Sequence, residues 1–155
     1  MVKKYGFLII MIVLVVGLLV AVFNKDSLYD YIGRQVQENV SEETQFESAK
    51  YIEQHFNYIE NNGDFDFTLL EFKSKGCTIC KQMEPVLSAV KSWDGAKTNV
   101  QVIQIMNPDS QELMKYFGIS AVPTHIILDK KGSEVFRKYG FISEDELKSQ
   151  ILSKL

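Results

Sequence analysis

From Phe7 to Phe23 the chain carries no charged or hydrogen-bonding side chain, and this run decides how the rest can be organised. At the helical rise, about 17 residues reach about 25 Å, near the lower limit for crossing a bilayer core. Tyr5 and Gly6 can extend the run. It is apolar on every face, whereas a surface helix of a soluble domain needs a polar side. Lys3 and Lys4 precede it together with the α-amine, and Lys25 after it is offset by Asp26. The positive-inside bias therefore predicts a cytoplasmic N-terminus with the remainder of the chain across the membrane. A cleaved signal peptide is the competing reading. It needs small residues at the cleavage site, which Leu19-Val20-Ala21 and Ala21-Val22-Phe23 supply poorly. No cysteine stands directly after the run, so a lipoprotein site is excluded. The expectation is an uncleaved, single-pass signal anchor over residues 1–24 in a cell membrane. On either reading the domain lies outside the cytoplasm, where disulfides persist.

The full length of 155 residues leaves room for one globular domain beyond the anchor. A net charge of −3 gives no electrostatic footprint for nucleic acid. In residues 25–43, Leu28, Ile32, Val36 and Val40 recur every four positions, which predicts a short helical stalk, read first as a solvated spacer, with packing of that stripe on the domain or self-association as the alternatives. From 44 to 155 the chain reads as the domain. A helix from Thr44 to Ile59 is predicted with Phe46, Ala49, Ile52, Phe56 and Ile59 on one face, ended by Asn61-Asn62-Gly63-Asp64. Strands are predicted at Phe67–Lys73, Val100–Met106, Thr124–Leu128 and Ser133–Tyr139, the last two joined by the turn Asp129–Gly132. Helices are predicted at Cys77–Trp93, from a cap at Asp109 to Gly118, and from a capping box at Ser143 onward. A strand–helix–strand unit followed by a hairpin implies an α/β fold: a mixed sheet of about four strands with helices on both faces.

The chain has only two cysteines, Cys77 and Cys80, directly between a predicted strand and its helix. A cysteine at the first turn of a helix meets unpaired backbone N–H groups and the positive end of the dipole. Both favour the thiolate, the form that attacks disulfides. Cys80, nearly one turn deeper, can reach Cys77 and resolve a mixed disulfide. Cys77 is thus the expected nucleophile and Cys80 the resolving cysteine. Gly76 lets the backbone turn closely before the helix and leaves Cys77 uncovered. A purely structural disulfide across two residues would close too short a loop to stabilise much. A zinc site would need both His55 and His125, which lack ligand spacing, so no metal is expected.

Taken together, these motifs resemble the thioredoxin superfamily over about residues 66–155. Cys77-Thr78-Ile79-Cys80-Lys81 is similar to its active-site turn. Leu70-Glu71-Phe72 is similar to the strand that carries its buried acid, six positions before the first cysteine. Pro85 matches its helix-kinking proline, Gly118-Ile119-Ser120-Ala121-Val122-Pro123-Thr124 its cis-proline loop, and Gly140 its glycine after the last strand. The resemblance implies a buried Glu71 under Cys80, where desolvation would raise its pKa and suit it to exchange a proton with the thiol. Strand alternation alone leaves Glu71 open to a solvent-facing reading. The resemblance also implies a cis bond before Pro123, with the Val122 backbone beside the disulfide to bind an extended substrate. Thr78 and Ile79 between the cysteines complete the expected substrate-facing surface.

Departures from the family pattern are Thr-Ile between the cysteines, Lys73 and Gly76 where tryptophans are usual, and glutamines in place of the basic partner of the acid, Gln101 or Gln104. They bear on the reduction potential and the partner surface. His125 after the proline loop could tune Cys77 or touch substrate, but strand alternation favours a structural or surface role; Trp93 is read as a core or helix-end anchor, and Asp109 and Ser143 as helix caps. The expected function is a membrane-tethered protein thiol–disulfide oxidoreductase, more readily a reductase than an oxidase. It would need no metal or organic cofactor, and it would take electrons from a membrane donor and pass them to extracytoplasmic clients. The alternative is a thioredoxin-fold binding or assembly module without catalysis.

Overall fold

The strand Phe67–Lys73 (β1) is apolar enough to be buried on both sides, and the rest of the domain is arranged around it. The computed structural model describes residues 2–56 and 64–155. The four-stranded sheet runs β2-β1-β3-β4, with β2 at Thr98–Gln104, β3 at Thr124–Leu128 and β4 at Glu134–Tyr139. β1 pairs parallel with β2 and antiparallel with β3, and β3 pairs antiparallel with β4. The mixed α/β sheet expected from the sequence is therefore present. β1 and β3 occupy their predicted ranges, and β2 begins and ends two residues earlier than predicted.

Strand alternation sends successive side chains into two separate cores. Phe67 and Leu69 of β1 and Ile127 of β3 pack under α4 (Thr78–Lys91) and α6 (Glu144–Leu152), with Met83, Val86, Leu87, Val90, Leu147 and Ile151. Leu70 and Phe72 of β1 with Ile126 and Leu128 of β3 face the other way. They meet Ile52 and Phe56 of α3 (Glu42–Phe56) and Leu113 of α5 (Gln111–Tyr116). The β3–β4 turn is held by Asp129, whose carboxylate accepts from the backbone N–H of Lys131 at 2.8 Å and Ser133 at 2.9 Å. Gly132 supplies the positive φ of 75° that closes it. Ser143 caps α6, its hydroxyl accepting from Glu146 N–H at 3.3 Å.

Three expectations are corrected. The buried stripe of α3 is Ser48, Ile52 and Phe56, at a strict spacing of four; Phe46 is 67% exposed and Ala49 is also exposed. The predicted end of that helix at Ile59 and its Asn61–Asp64 stop fall largely outside the described residues. Asp109 does not cap α5. It lies inside a 3₁₀ turn at Pro108–Ser110 that opens on the proline, and α5 starts only at Gln111.

The third correction concerns the stalk. α2 (Lys25–Glu38) is helical as predicted, but it is docked on the domain rather than solvated. The face that docks is not the apolar stripe, since Leu28, Ile32 and Val36 stay exposed. Contact is made by the intervening residues. Asp30 Oδ1 accepts from the Tyr139 hydroxyl at 2.9 Å, and Tyr29 O accepts from Ser120 Oγ at 2.9 Å. Gln37 Nε2 donates to Tyr116 O at 2.8 Å, and the Tyr29 and Tyr139 rings lie 5.3 Å apart. Gly33 meets Gly118 backbone to backbone, and a Cβ on either would run into the other's carbonyl oxygen. Hydrophobic periodicity misses this seam because it is built from polar groups and a pair of glycines. Before α2, α1 (Val2–Phe23) contains the stretch Tyr5–Phe23, with mean hydropathy 3.2 and no residue buried. It is long and apolar enough to cross a membrane.

Candidate active site

The loop leaving β1 turns at Gly76, whose φ of 82° is open to glycine and strained for other residues, and delivers Cys77 to the N-cap of α4. Cys77 Sγ accepts the backbone N–H of Cys80 at 3.1 Å, so the sulfur occupies the place of a capping oxygen. The same N–H that stabilises the helix end would stabilise a thiolate there. Cys77 and Cys80 form a disulfide of 2.09 Å, with their Cα atoms 5.3 Å apart. Cys77 is half-buried, while Cys80 has no exposed surface. One sulfur can be reached from solution and the other only through it. Thr78 and Ile79 are exposed beside the reachable sulfur.

Glu71 lies on the α4 face of β1, in line with Phe67 and Leu69, and is fully buried. α4 runs back over β1, with Met83 in the same cluster as Leu69. One helical turn toward the N-terminus from Met83 is Cys80, and two residues along β1 from Leu69 is Glu71, distances of about 5 and 7 Å. The fold thus brings Glu71 and Cys80 to the same end of one sheet face. Neither carboxyl oxygen of Glu71 has a hydrogen-bond partner. Desolvation pushes its pKa up to about 7; Lys73 opposes the rise and Glu84 adds to it. Lys73 itself is ion-paired to Glu84 at 3.0 Å.

Val122–Pro123 is a cis peptide bond. Pro123 is buried and Val122 is half-buried, directly before β3. The register sets Thr124 opposite Phe72, so Pro123 stands at the end of the sheet where β1 runs into the cysteine loop. Gly140 N–H donates to Pro123 O at 2.9 Å and ties the proline loop to the exit of β4. Pro85 sits inside α4, as the resemblance implied. Among the described residues no group of three or more potential metal ligands occurs.

Two residues matter more than the sequence suggested. Lys73, set aside as a substitution for a family tryptophan, is the cation that bears on Glu71; the signal was its position two residues along the same strand face. His125, read as structural or surface-facing, has no exposed surface. Its Nε2 lies 3.1 Å from Gly140 O, and burial pushes its pKa down to about 4, a fall that the Gly140 hydrogen bond opposes.

The family profile described as a thioredoxin-like domain matches residues 52–154. A thioredoxin from Chlamydia muridarum is 33% identical over 79 residues, covering 51% of this chain and 74% of its own. The rice chloroplastic thioredoxin-like protein HCF164 is 25% identical over 67 residues, and the match takes in 43% of this chain but only 26% of the rice protein. Among solved structures, a mutant thioredoxin from Halobacterium salinarum NRC-1 superposes with a TM-score of 0.51 at 28% identity, over 59% of this chain and 77% of its own. With its fold, its disulfide at the head of α4 and its cis-proline all in place, this chain belongs to the thioredoxin-like family.

Proposed function

We propose that the protein is a membrane-tethered thiol–disulfide oxidoreductase that reduces disulfides of extracytoplasmic client proteins. The observation that carries this reading is the half-buried Cys77 sulfur at the N-terminus of α4, bonded to a Cys80 with no exposed surface. In the dithiol form the Cys77 thiolate attacks a client disulfide, forming a mixed disulfide and expelling one client sulfur as thiolate. Cys80 then loses its proton to the Glu71 carboxylate. Its thiolate attacks the Cys77 sulfur, releasing the second client sulfur and closing the Cys77–Cys80 disulfide. Two electrons leave the protein in each cycle, so a membrane dithiol donor must return them. The Val122 backbone and Pro123, with Thr78 and Ile79, form the surface against which an extended client segment would lie. α1 holds the domain at the membrane, with the short N-terminus in the cytoplasm.

The reduction potential of the full chain in detergent micelles, equilibrated against glutathione or dithiothreitol, tests the direction. A value at or below about −250 mV supports a reductase supplied from the cytosolic side. A value of about −120 to −180 mV overturns the direction in favour of an oxidase or isomerase. Absence of a reversible two-electron couple overturns the enzyme altogether.

A further inference from the structure

Both carboxyl oxygens of Glu71 and Nδ1 of His125 are buried without a hydrogen-bond partner. These atoms belong to residues that stand directly opposite each other, since the β1–β3 register pairs Glu71 with His125. Opposed residues of an antiparallel pair share a sheet face with Cβ atoms about 5 Å apart. Neither side chain has any exposed surface. On β3 the neighbours Ile126 and Ile127 enter opposite cores, which places His125 on the α4 side together with Glu71 and the buried Cys80. The cis-proline is two residues before it.

The imidazole tautomer follows from its one partner. The Gly140 carbonyl can only accept, so the 3.1 Å contact makes Nε2 the N–H donor. Nδ1 of the neutral ring is then an acceptor with nothing to accept. A protonated Glu71 carboxyl is a donor with nothing to donate to. Two unsatisfied buried groups of complementary kind, on adjacent strands and the same face, are costly apart and satisfied together. The other charged groups near them are Lys73 on β1 and Glu84 on α4, ion-paired with each other, and Lys138, which stands opposite His125 on β4. β2 presents uncharged Val102 opposite Glu71.

We propose that His125 is the positioning residue of the proton-exchange step: its Nδ1 accepts the hydrogen bond of the Glu71 carboxyl, directly or across one bridging water, and so sets the orientation and proton affinity of the acid beneath Cys80. This rests on the reading of Glu71 as the proton partner of Cys80. When Cys80 is deprotonated its S–H bond breaks and an O–H bond forms on Glu71. That new O–H finds Nδ1 waiting, so the proton is held on a partnered carboxyl while the negative charge passes to the Cys80 sulfur. The ring stays neutral throughout.

The test uses the reduced full chain in detergent micelles, with ¹³C in glutamate carboxyls and ¹⁵N in imidazoles. The Nδ1 resonance of His125 is expected to move with the titration of the Glu71 carboxyl. In His125→Gln the amide nitrogen can still donate to Gly140 O but the Nδ1 acceptor is gone; the Glu71 midpoint should fall by about one pH unit or more, a tenfold loss of proton affinity worth about 1.4 kcal/mol. His125→Asn restores an acceptor on the Nδ1 side and should return the midpoint toward wild type. An Nδ1 resonance that stays still through the Glu71 titration overturns the role of His125, and so do equal shifts in the two variants. The wild-type resonance answers the question even where a variant does not fold. The pH–rate profile of Glu71→Gln tests the underlying reading separately. If that profile matches wild type while Nδ1 follows Glu71, the catalytic role of Glu71 falls, and the positioning role with it. If the profile changes while Nδ1 stays still, only the role of His125 falls.

Discussion

Replacing Glu71 by glutamine should make the oxidised domain more stable at neutral and alkaline pH, and the gain should vanish in acid. The side chain is fully buried and its carboxyl oxygens have no partner, so ionisation in place is unfavourable. Burial raises its pKa from an ordinary 4.5 to about 7. Below pH 4.5 the carboxyl is neutral in both folded and unfolded chains and contributes no penalty. Between the two values the folded state holds the proton that the unfolded state has lost, so stability falls as pH rises. Above about pH 7 the full penalty is present. At about 1.4 kcal/mol per pH unit, it amounts to about 3 kcal/mol. For a domain of about 100 residues this corresponds to a difference in Tm on the order of 15 °C. Trp93, the only tryptophan, packs against the α4–α6 core and reports its melting by fluorescence. The Tm difference between Glu71→Gln and wild type should be near zero at pH 4.5, rise through pH 5–7 and level off by pH 8. A difference that is flat across this range, or that favours wild type at pH 8, would refute the assignment of a desolvated Glu71.

Other outcomes follow from the same geometry. Cys80→Ser should accumulate clients as mixed disulfides through Cys77, and Cys77→Ser should capture none; capture by Cys77→Ser alone on a non-reducing gel would reverse the order of attack, and equal capture by both would refute the assignment of one attacking sulfur. Gly33→Val puts side-chain atoms into the Gly118 carbonyl and should lift α2 from the domain, raising amide exchange across residues 25–38 while leaving the core amides protected. Ser143→Ala removes the cap of α6 and should cost about 1 kcal/mol in unfolding free energy, independent of pH.

How far the sequence could be read depended on which force shapes each element. β1, β3 and the helix at Cys77 were legible because apolar burial, alternation and cap chemistry act over a few neighbouring residues. The cysteine pair was legible for the same reason: one short segment contains the strand end, the glycine turn and the helix start. Glu71 needed the family resemblance, because in a strand buried on both faces alternation cannot say whether a carboxyl points to a core or to water. His125 was legible only as structural or surface-facing, and the structure selects the buried option, because its burial depends on which residue stands opposite it and cross-strand register is set by the whole sheet. The seam under α2 was illegible for a different reason. It joins Tyr29, Asp30, Gly33 and Gln37 to residues about 80 to 110 positions away, through hydrogen bonds and a glycine contact that leave no periodic trace.

That seam also ties α2 to the loops around the cis-proline. α2 lies on the α5 side of the sheet, and α4 with its cysteines lies on the other, so the attachment leaves Cys77 uncovered. Yet its contacts converge on the two segments that frame the cis-proline. Gly118 and Ser120 belong to the loop leading into Pro123. Tyr139, held by Asp30 and with its ring tilted against that of Tyr29, directly precedes Gly140. Gly140 in turn binds Pro123 through its N–H and His125 through its carbonyl. A displacement of α2 would therefore be felt first at the proline loop and at the hydrogen bond that fixes the His125 tautomer, and only through them at the sulfurs. α2 is in this way part of the frame that holds the cis-proline loop, and a chain cut after α2 would lose that support while keeping both cysteines.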